Sequence, residues 1–184
     1  MLYLFLYLLL IFFLLLFLIF FSIYALLLIY SSLNGSPYVG TNNKKIVRIL
    51  TSADLKKDSF FIDLGCGDGR VVLTAVSNFK VKGIGVDINP FLIKIANLKA
   101  KIQSVDKKSV KFICQNILKT DITGADFIYL FLLPNLIKRL KPKLEKELKK
   151  NTIIISHGFK IEGWEKKLIK KLPDLPFPTY YYKI

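Results

Sequence analysis

The segment that most constrains the fold is a short apolar run that passes directly into a glycine-rich turn. Residues 61–70 have the sequence Phe-Ile-Asp-Leu-Gly-Cys-Gly-Asp-Gly-Arg, and a further apolar run occupies positions 71–76. This order predicts a buried strand, a tight turn and a helix. Because glycine lacks a Cβ, Gly65, Gly67 and Gly69 can adopt positive φ and let a ligand lie against the backbone, beside the unpaired N–H groups of the following helix. An ordinary turn needs only one glycine, so three of them indicate a cofactor site.

Two acidic residues indicate which kind of ligand this turn accepts. Asp63 precedes the first glycine by two residues, and Asp87 ends a second strand-like run eighteen residues after Gly69. The G-x-G-x-G spacing is one residue shorter than the dinucleotide fingerprint. A carboxylate at position 63 repels a pyrophosphate but attracts a cation, and one at position 87 lies where ribose hydroxyls are bound. The pair predicts a nucleoside with a positively charged tail, a description that S-adenosylmethionine fits.

The same residues resemble a known family. The pattern Asp63-x-Gly65-x-Gly67-x-Gly69, followed by Gly85-Val-Asp87, is similar to the first two motifs of class I, seven-stranded S-adenosylmethionine-dependent methyltransferases. A strand-like run at residues 110–114 follows in the order expected of that family. The resemblance implies cofactor contacts from all five of these acidic and glycine positions: Asp63, Gly65, Gly67, Gly69 and Asp87. Asp68 is either a further ligand contact or the N-cap of the next helix.

The rest of the chain alternates strand-like and helical patterns, which predicts an α/β fold. Such alternation is typical of a doubly wound, mostly parallel sheet with helices on both faces. A final strand-like tail paired with a weaker preceding strand completes a seven-stranded, Rossmann-like sheet with an antiparallel edge. An amphipathic helix before the sheet is expected to cover its cofactor end. The predicted strands are 60–64, 82–87, 110–114, 127–132, 152–157, 166–171 and 179–184, and the helices are 42–54, 69–79, 90–102 and 135–149.

The amino-terminal segment is a separate part of the chain. Residues 2–30 contain 29 consecutive positions without a charge. As a helix they would extend about 43 Å, more than the ~30 Å hydrocarbon core of a bilayer. We therefore predict a single transmembrane anchor at residues 1–33 and a methyltransferase domain at residues 34–184. A signal peptide would be shorter and follow a basic segment, although small residues after position 30 leave cleavage open. Lys44, Lys45 and Arg48 predict a domain that faces the cytoplasm.

Charge narrows the possible partners only in part. The chain carries 28 basic and 13 acidic residues, a net charge of +15, and all of them follow residue 33. Such a domain beside a membrane is attracted to anionic lipid or acidic partners, but scattered lysines are equally typical of a solvated face. We expect a protein partner rather than a nucleic acid. Cys66 and Cys114 are predicted to be small buried thiols in a reducing compartment, with no disulfide and no metal site.

The acceptor is expected at the carboxyl ends of the fourth and fifth strands, where ligands of open α/β sheets bind. Phe131 and Pro134 can line an apolar channel there. A lysine amine, with a reference pKa of about 10.4, must lose its proton before methylation, and apolar surroundings favour that neutral form. Asn135 is either an acceptor-site group or a helix cap. His157 is either a base or a residue that orients a loop.

Further segments resemble one branch of the methyltransferase family. Residues 37–41, 131–135, 140–148 and 156–164 are similar in order and sequence to the broad-specificity archaeal protein-lysine methyltransferase and to the mitochondrial enzymes that methylate the adenine nucleotide translocase and the c-ring protein of ATP synthase. The resemblance implies that Tyr38 and Thr41 lie near the methionine end of the cofactor and Asn116 beside the adenine. Alternatively, Tyr38 packs beside the anchor and Asn116 caps a turn.

The sequence therefore predicts a membrane-anchored protein-lysine N-methyltransferase that uses S-adenosylmethionine, with an acceptor that is itself in or on the membrane. Two other functions fit the same residues. One is methylation of a lipid, a quinone or another small molecule, and the other is non-catalytic binding of S-adenosylmethionine at the membrane. The sequence does not determine the acceptor, the number of methyl groups added or the oligomeric state.

Overall fold

The computed structural model describes residues 1–34 and 42–184. Within these ranges a long amino-terminal helix precedes an alternating series of strands and helices, with two short 3-10 helices at Ile117–Lys119 and Glu165–Lys167. The helices are α1 (Leu2–Asn34), α2 (Asn43–Ser52), α3 (Arg70–Phe79), α4 (Pro90–Ile102) and α5 (Pro134–Glu147). The strands are β1 (Phe60–Leu64), β2 (Lys82–Asp87), β3 (Val110–Cys114), β4 (Phe127–Leu130), β5 (Ile153–His157), β6 (Leu168–Leu172) and β7 (Thr179–Lys183).

The seven strands form one sheet in the order β3-β2-β1-β4-β5-β7-β6. Strands β1 to β5 run parallel, and β7 pairs antiparallel with both β5 and β6. This arrangement confirms the predicted doubly wound, seven-stranded α/β fold and its antiparallel edge. Because the strand order reverses direction between β1 and β4, the carboxyl ends of these two strands border the crevice in which ligands of such sheets bind.

Element boundaries differ from prediction by a few residues, and proline explains one of them. Helix α5 begins at Pro134, not at Asn135, and Leu133 before it is extended with ψ of 150°. A proline ring disfavours helical geometry at the preceding residue and fits the first helical position, where no N–H is needed. Strand β6 begins at Leu168, two residues later than predicted, because a 3-10 helix occupies the residues before it.

The sheet carries a hydrophobic core on each face. Alternate strand residues contribute to opposite cores: Phe61 and Tyr129 pack with α2, α3 and α4, whereas Ile62 and Leu130 pack with α5. This period of two follows from the pleat of the strands. Asp63 and His157 occupy positions of the same parity as Phe61 and Tyr129. The face covered by α2, α3 and α4 therefore holds the predicted site residues.

Nearly all side chains of residues 2–26 in helix α1 are exposed. Its segment Leu2–Leu26 has a mean hydropathy of 3.3 and is long enough to cross a membrane, a test that a signal sequence near the amino terminus would also pass. One contact with the body is a ring contact between Tyr24 and Phe91 of α4, with centroids 5.6 Å apart.

One prediction about the body was wrong. Cys66 is buried as expected, but Cys114 is exposed and neither thiol is in a disulfide. The reason is position: Cys114 ends β3, which is the edge strand of the sheet and has only one neighbour. In residues 1–34 and 42–184, no cluster of three His, Cys, Asp or Glu residues has the geometry to hold a metal ion.

Candidate active site

The glycine turn after β1 is attached by hydrogen bonds to the end of β2. The N–H groups of Gly65 and Cys66 both donate to the carbonyl oxygen of Val86, at 2.8 and 3.0 Å. Gly65, Gly67 and Gly69 have φ of 88°, 53° and 77°, so the predicted positive φ is confirmed at all three. Such angles are strained for residues with a Cβ. The turn is thus fixed directly beside the second predicted cofactor residue, Asp87.

Asp87 holds this turn with its carboxylate. Its Oδ2 accepts the N–H of Gly67 at 2.9 Å, and its Oδ1 accepts the N–H of Asn89 at 2.8 Å. Burial raises the pKa of Asp87, while the hydrogen bonds from Asn89 and Gly67 oppose that rise. Each carboxylate oxygen can accept more than one hydrogen bond, so both retain capacity for ligand hydroxyls. The site residues predicted from two separate motifs are therefore one hydrogen-bonded unit.

Asp63 is a buried carboxylate in an electrostatically unfavourable position. It is 2% exposed, and no hydrogen bond reaches its side chain from the residues that the structure describes. Burial raises its pKa well above the usual range, and the charges of Asp87 and Asp68 raise it further. Removing a charged group from water without a partner is costly. A cationic ligand group would supply the missing compensation, which fits the methionine end of S-adenosylmethionine.

Asp68 is in a different situation from Asp63. The Arg70 guanidinium pairs with it at 2.7 Å, and the Lys99 ammonium of α4 forms a second ion pair with the same carboxylate. The N-cap of α3 is Gly69, without a side-chain cap hydrogen bond. Asp68 is therefore not the N-cap residue, although its Oδ1 accepts the N–H of Arg70, the first residue of α3, at 3.4 Å. The carboxylate connects α4 to the start of α3, because Lys99 reaches it from the neighbouring helix.

Two of the glycines are also required by packing. A Cβ on Gly69 would lie 2.6 Å from the Phe112 ring and 2.8 Å from the Cβ of Ala96. A Cβ on Gly65 would lie 2.7 Å from Cδ2 of Leu132. These distances are below normal van der Waals contact, and closely packed interiors relieve such overlap only by shifting their neighbours. Side chains of the body thus already require glycine at these positions.

The predicted acceptor end contains a group of rings at the carboxyl ends of β4 and β5, which we term the aromatic cluster: Tyr129, Phe131, His157 and Phe177. The Phe131 ring lies 4.6 Å from the His157 ring and 5.3 Å from the Phe177 ring, measured between centroids. Tyr129 is in register with Asp63 on the neighbouring strand. The aromatic cluster is therefore continuous with the cofactor-binding strand end.

His157 belongs to this cluster as a neutral ring. It is 1% exposed, and its Nδ1 forms a 2.8 Å hydrogen bond with the Thr179 hydroxyl. Burial, reinforced by the nearby Lys45 charge, lowers the pKa of His157 to about 4. An imidazole of that pKa is a weak base toward a lysine ammonium, whose pKa is about 10.4. The geometry favours the predicted orienting role, in which His157 joins β5 to β7.

The other predicted acceptor residues lie nearer the surface. Phe131 is half-buried, whereas Pro134 and Asn135 are exposed in the first turn of α5. Since Leu133 is the N-cap of that helix, the capping role considered for Asn135 is wrong. Asp126 lies at the opposite end of β4, where it accepts the N–H of Phe60 at 2.7 Å and pairs with Lys149. It is too far along the strand to serve the acceptor end.

Three further residues were predicted to lie around the cofactor: Asn116, Tyr38 and Thr41. Asn116 caps the short 3-10 helix by accepting the N–H of Leu118 at 2.9 Å, and the nitrogen of its amide is not used in that contact. Tyr38 and Thr41 lie outside the described residues. Trp164, at the end of the similar segment 156–164, is buried against Tyr182 and donates from Nε1 to Glu145 at 2.7 Å, so its role is packing.

The sequence did not indicate Tyr129, Phe177 or Lys45 as residues of the site. Tyr129 could have been found, because it precedes Phe131 by two residues and strand alternation places both on one face. Phe177 lies in a loop between β6 and β7 and shows no such pattern. Lys45 of α2 donates from Nζ to the carbonyl oxygen of Phe177 at 3.2 Å. This contact brings an amine from the start of the body to the rim of the aromatic cluster.

The site combines a glycine turn, the buried carboxylate of Asp63, which has no partner among the described residues, the strand-end carboxylate of Asp87 and the aromatic cluster at the predicted acceptor end. On a seven-stranded sheet of this order, these features define a class I S-adenosylmethionine-dependent methyltransferase. The comparison with known proteins agrees: the chain belongs to the family of the ANTKMT methyltransferase domain, whose model matches residues 63–168. S-adenosylmethionine is its cofactor.

Individual relatives support this assignment. The protein-lysine N-methyltransferase of Saccharolobus islandicus (strain REY15A) is 41% identical over 151 residues, which are 80% of this chain and 93% of the relative. A crystal structure of an RNA methyltransferase from Salinibacter ruber with S-adenosyl-L-homocysteine has a TM-score of 0.75 and 31% identity, and covers 79% of this chain and 94% of that one. The predicted resemblance to this family is confirmed.

A more distant relative is longer than this chain. The adenine nucleotide translocase lysine N-methyltransferase of Mus musculus is 29% identical over 129 residues, which are 70% of this chain. The matched part spans 56% of the mouse protein. The similarity to this relative therefore concerns little more than half of its length.

Proposed function

We propose that this chain transfers methyl groups from S-adenosylmethionine to lysine side chains of proteins. The observation that carries the proposal is the 41% identity to the Saccharolobus islandicus protein-lysine N-methyltransferase, over nearly the whole of that relative. The mouse relative is also named for lysine methylation. At 41% identity, the simplest explanation of the site is that this chain and its relative catalyse the same reaction.

The residues at the acceptor end suit a lysine amine. The bound cofactor supplies an activated methyl group together with its own leaving group. The protein has to align the amine, exclude water and keep the amine unprotonated. The aromatic cluster provides an apolar surface for the lysine stem. Lys45 adds a positive charge beside it, and that charge disfavours a second ammonium in the same way that it helps to lower the pKa of His157.

An acceptor panel tests the proposal. The full chain in detergent is incubated with methyl-labelled S-adenosylmethionine and four acceptors: a lysine-rich protein, the same protein after chemical acetylation, a lipid extract and an RNA transcript. Label in the first acceptor and its loss after acetylation is the expected result. Label in lipid or RNA with none in protein would reject the proposal. Binding of the cofactor without label in any acceptor would indicate a non-catalytic protein.

RNA belongs in this panel for a specific reason. The Salinibacter ruber relative is described as an RNA methyltransferase, and the net charge of +15 is compatible with a phosphate backbone. Protein is the better supported acceptor, because identity to the protein-lysine enzyme is higher, at 41% against 31%. The RNA arm decides between the two.

A matched pair of variants tests the acceptor end itself. Phe131 and Phe159 are both half-buried phenylalanines near the ends of strands, but Phe159 packs against the core on the opposite face of the sheet. We expect Phe131→Leu to lower kcat/KM for the protein acceptor about tenfold or more, with cofactor affinity unchanged, because misplacement of the amine costs alignment. Phe159→Leu should leave kcat/KM within about twofold. An equal loss of kcat/KM in Phe131→Leu and Phe159→Leu would contradict an acceptor role for the aromatic cluster.

We also propose that residues 1–33 anchor residues 34–184 to a membrane in a single pass, with the catalytic domain in the cytoplasm. Support comes from the length and hydropathy of Leu2–Leu26 and from the basic residues Lys44, Lys45 and Arg48 that follow. The chain carries its own reporter of orientation, because Cys114 is exposed while Cys66 is buried. In intact cells a membrane-permeant maleimide should label Cys114 and an impermeant one should not. Labelling by both reagents would place the domain outside.

Anchoring supports a further part of the proposal, that acceptors are proteins in or on the membrane. A tethered domain meets membrane-bound lysines at a high effective concentration without any added contact. Mass spectrometry of methyl-lysine in membrane and soluble fractions, with and without this chain, tests it. Loss of methylation confined to soluble proteins would contradict a membrane-bound acceptor while leaving lysine methylation intact.

A further inference from the structure

Helix α4 has an apolar stripe on its outer face, which is unusual for a surface helix. Its inner face is buried through Leu92, Ile93, Ala96 and Ala100. Four more apolar residues lie on the other side of the helix, and we term them the outer stripe: Phe91 and Ile95, which are half-buried, and Leu98 and Ile102, which are exposed. Leu98 is 57% exposed and Ile102 is 72% exposed. A helix at the surface of a soluble body normally presents polar residues there.

The spacing of the outer stripe makes it continuous. Its residues follow one another by four, three and four positions, so at 100° per residue they fall within about 60° of arc. The stripe extends along about 16 Å of the helix. Single exposed apolar residues need no explanation, but an aligned row marks an interaction surface.

The chain around the stripe is strongly basic. Lys94 and Lys101 are exposed on the helix beside it. Between positions 90 and 119 there are seven lysines and one acidic residue, Asp106. The lysines are Lys94, Lys99, Lys101, Lys107, Lys108, Lys111 and Lys119, of which Lys99 forms the ion pair with Asp68. An apolar stripe flanked by lysines is the pattern of helices that lie in the headgroup region of an anionic bilayer.

The amino-terminal helix reaches the body at the first residue of this stripe. The Tyr24 ring of α1 contacts the Phe91 ring, with centroids 5.6 Å apart and planes at 71°. Tyr24 lies near the end of the apolar segment Leu2–Leu26, a position at which tyrosine occupies the membrane interface. If α1 spans a bilayer, the surface of that bilayer passes beside Phe91.

The opposite edge of the sheet is also basic and partly apolar, but its lysines contact the body. Strand β6 also carries an apolar residue that is 57% exposed, Ile169, which follows Leu168 and precedes Lys170 and Lys171. Its lysines, however, are engaged within the body: Lys170 donates to the carbonyl oxygen of Ser52 at 3.0 Å, and Lys171 lies over the Tyr180 ring. Among the described residues, the ring contact between α1 and the body joins Tyr24 to Phe91 of α4 and does not involve β6.

We propose that the outer stripe of α4 rests on the anionic membrane surface beside α1 and holds the catalytic domain in one orientation. This inference rests on the anchoring part of the proposed function. The occupant is the lipid headgroup region of the same bilayer. With α4 on the surface, the domain has a fixed side toward the membrane instead of rotating about its tether. Acceptor lysines at a set height above the bilayer would then meet the aromatic cluster.

Quenching of tryptophan by brominated lipid tests the contact in the full chain. Leu98→Trp and Ile169→Trp form a matched pair, because both positions are 57% exposed and lie at opposite edges of the sheet. The wild type supplies the background, since its one tryptophan, Trp164, is 1% exposed. In vesicles that contain phosphatidylglycerol, Leu98→Trp should be quenched well above background and Ile169→Trp should match it. Equal quenching at both positions, or none at Leu98→Trp, would overturn the proposal.

A charge variant gives a second measurement that does not depend on packing. Lys94→Glu with Lys101→Glu in the Leu98→Trp background should weaken the surface contact about fivefold or more for each lysine replaced. Lys166→Glu with Lys171→Glu, at the other edge, should leave the quenching unchanged. Quenching that is insensitive to the first pair would contradict a headgroup contact. Protection of position 98 only after addition of an acceptor protein would show a protein-docking surface instead and also overturn it.

Alkaline extraction of the same vesicles separates this inference from the anchor. Wild-type protein that resists extraction, combined with absent quenching at position 98, would reject the α4 contact and keep the anchor. Release of the wild type would reject the anchor and this inference together. Methyl transfer to a soluble lysine-rich protein in detergent requires neither, so its failure would concern the proposed catalytic function alone.

Discussion

Replacing single glycines by alanine should destabilise the domain to different degrees, and the structure sets the order. Gly124→Ala meets its nearest atom, in the Phe60 ring, at 3.5 Å, which is ordinary contact, and should change the free energy of unfolding by less than about 0.5 kcal/mol. Gly163 has φ of +76° and faces only the flexible end of Lys141, so its cost is backbone strain of about 1–2 kcal/mol. Gly124→Ala thus serves as the reference for a substitution without strain, and Gly163→Ala as the reference for backbone strain alone.

The glycines near the cofactor turn should cost more. Gly85→Ala would place a Cβ 2.6 Å from the Phe112 ring and 2.8 Å from Sγ of Cys66, an overlap that costs about 1–3 kcal/mol. Gly69→Ala combines φ of +77° with a Cβ 2.6 Å from the same ring. Adding the two effects gives about 2–5 kcal/mol. We therefore expect the order Gly69, then Gly85 and Gly163, then Gly124.

Urea unfolding of the full chain in detergent, without cofactor, measures these differences. The fluorescence of Trp164 reports the domain alone, because it is the one tryptophan and lies in the core. Gly85→Ala combined with Phe112→Leu should cost less than the sum of the single variants, by about 1 kcal/mol, since the smaller side chain relieves the overlap. If Gly69→Ala and Gly124→Ala unfolded at the same urea concentration, packing would not be the reason for glycine at position 69.

Three further predictions concern ionisable residues of the site. Because the pKa of Asp63 is raised, its carboxylate protonates as the pH falls, and affinity for the cationic cofactor should drop by at most about tenfold per pH unit. Calorimetry of Asp63→Asn should show weak binding without that dependence. Asp87→Asn should lower the free energy of unfolding by about 1–3 kcal/mol, measured in urea, because an amide has one acceptor oxygen for the two N–H groups that the carboxylate binds. The pKa of His157 is about 4 when folded and 6.5 as the unperturbed group, so the unfolded chain binds more protons between these values. Stability should therefore fall as the pH drops from 6.5 to 4, by up to about 1.4 kcal/mol per pH unit, and a slope unchanged in His157→Asn would contradict this.

Much of the fold follows from local patterns. The alternation of strands with helices predicted the sheet because each strand must bury both faces and each helix one. The positive φ at Gly65, Gly67 and Gly69 was predictable for the same local reason, since only glycine adopts it cheaply. Helix starts were less predictable. Asn135 was a plausible cap from the sequence. In the structure Pro134 is the first helical residue, so the N-cap is Leu133.

Other parts of the site depend on residues that are distant in the chain. Asp68 makes the local contacts that its position allows, with the N–H and the guanidinium of Arg70, but its ion pair with Lys99 could not be predicted because Lys99 lies on the next helix. Likewise Phe177 shows no pattern in its own loop, and it joins the aromatic cluster because β7 returns antiparallel to β5.

By itself, then, the sequence determined the class of fold, the glycine turn and the two carboxylates, Asp63 and Asp87, from which a nucleoside with a cationic tail was predicted. These depend on the backbone preferences of nearby residues and on their spacing. Only the tertiary structure decided that Asp63 lacks a compensating partner among the described residues while Asp68 has two, and that His157 is a neutral ring against Phe131. The tertiary structure also brings Phe91, at the start of the outer stripe of α4, into contact with Tyr24 of α1. Burial and long-range contact set these properties, and neither is encoded by any one segment.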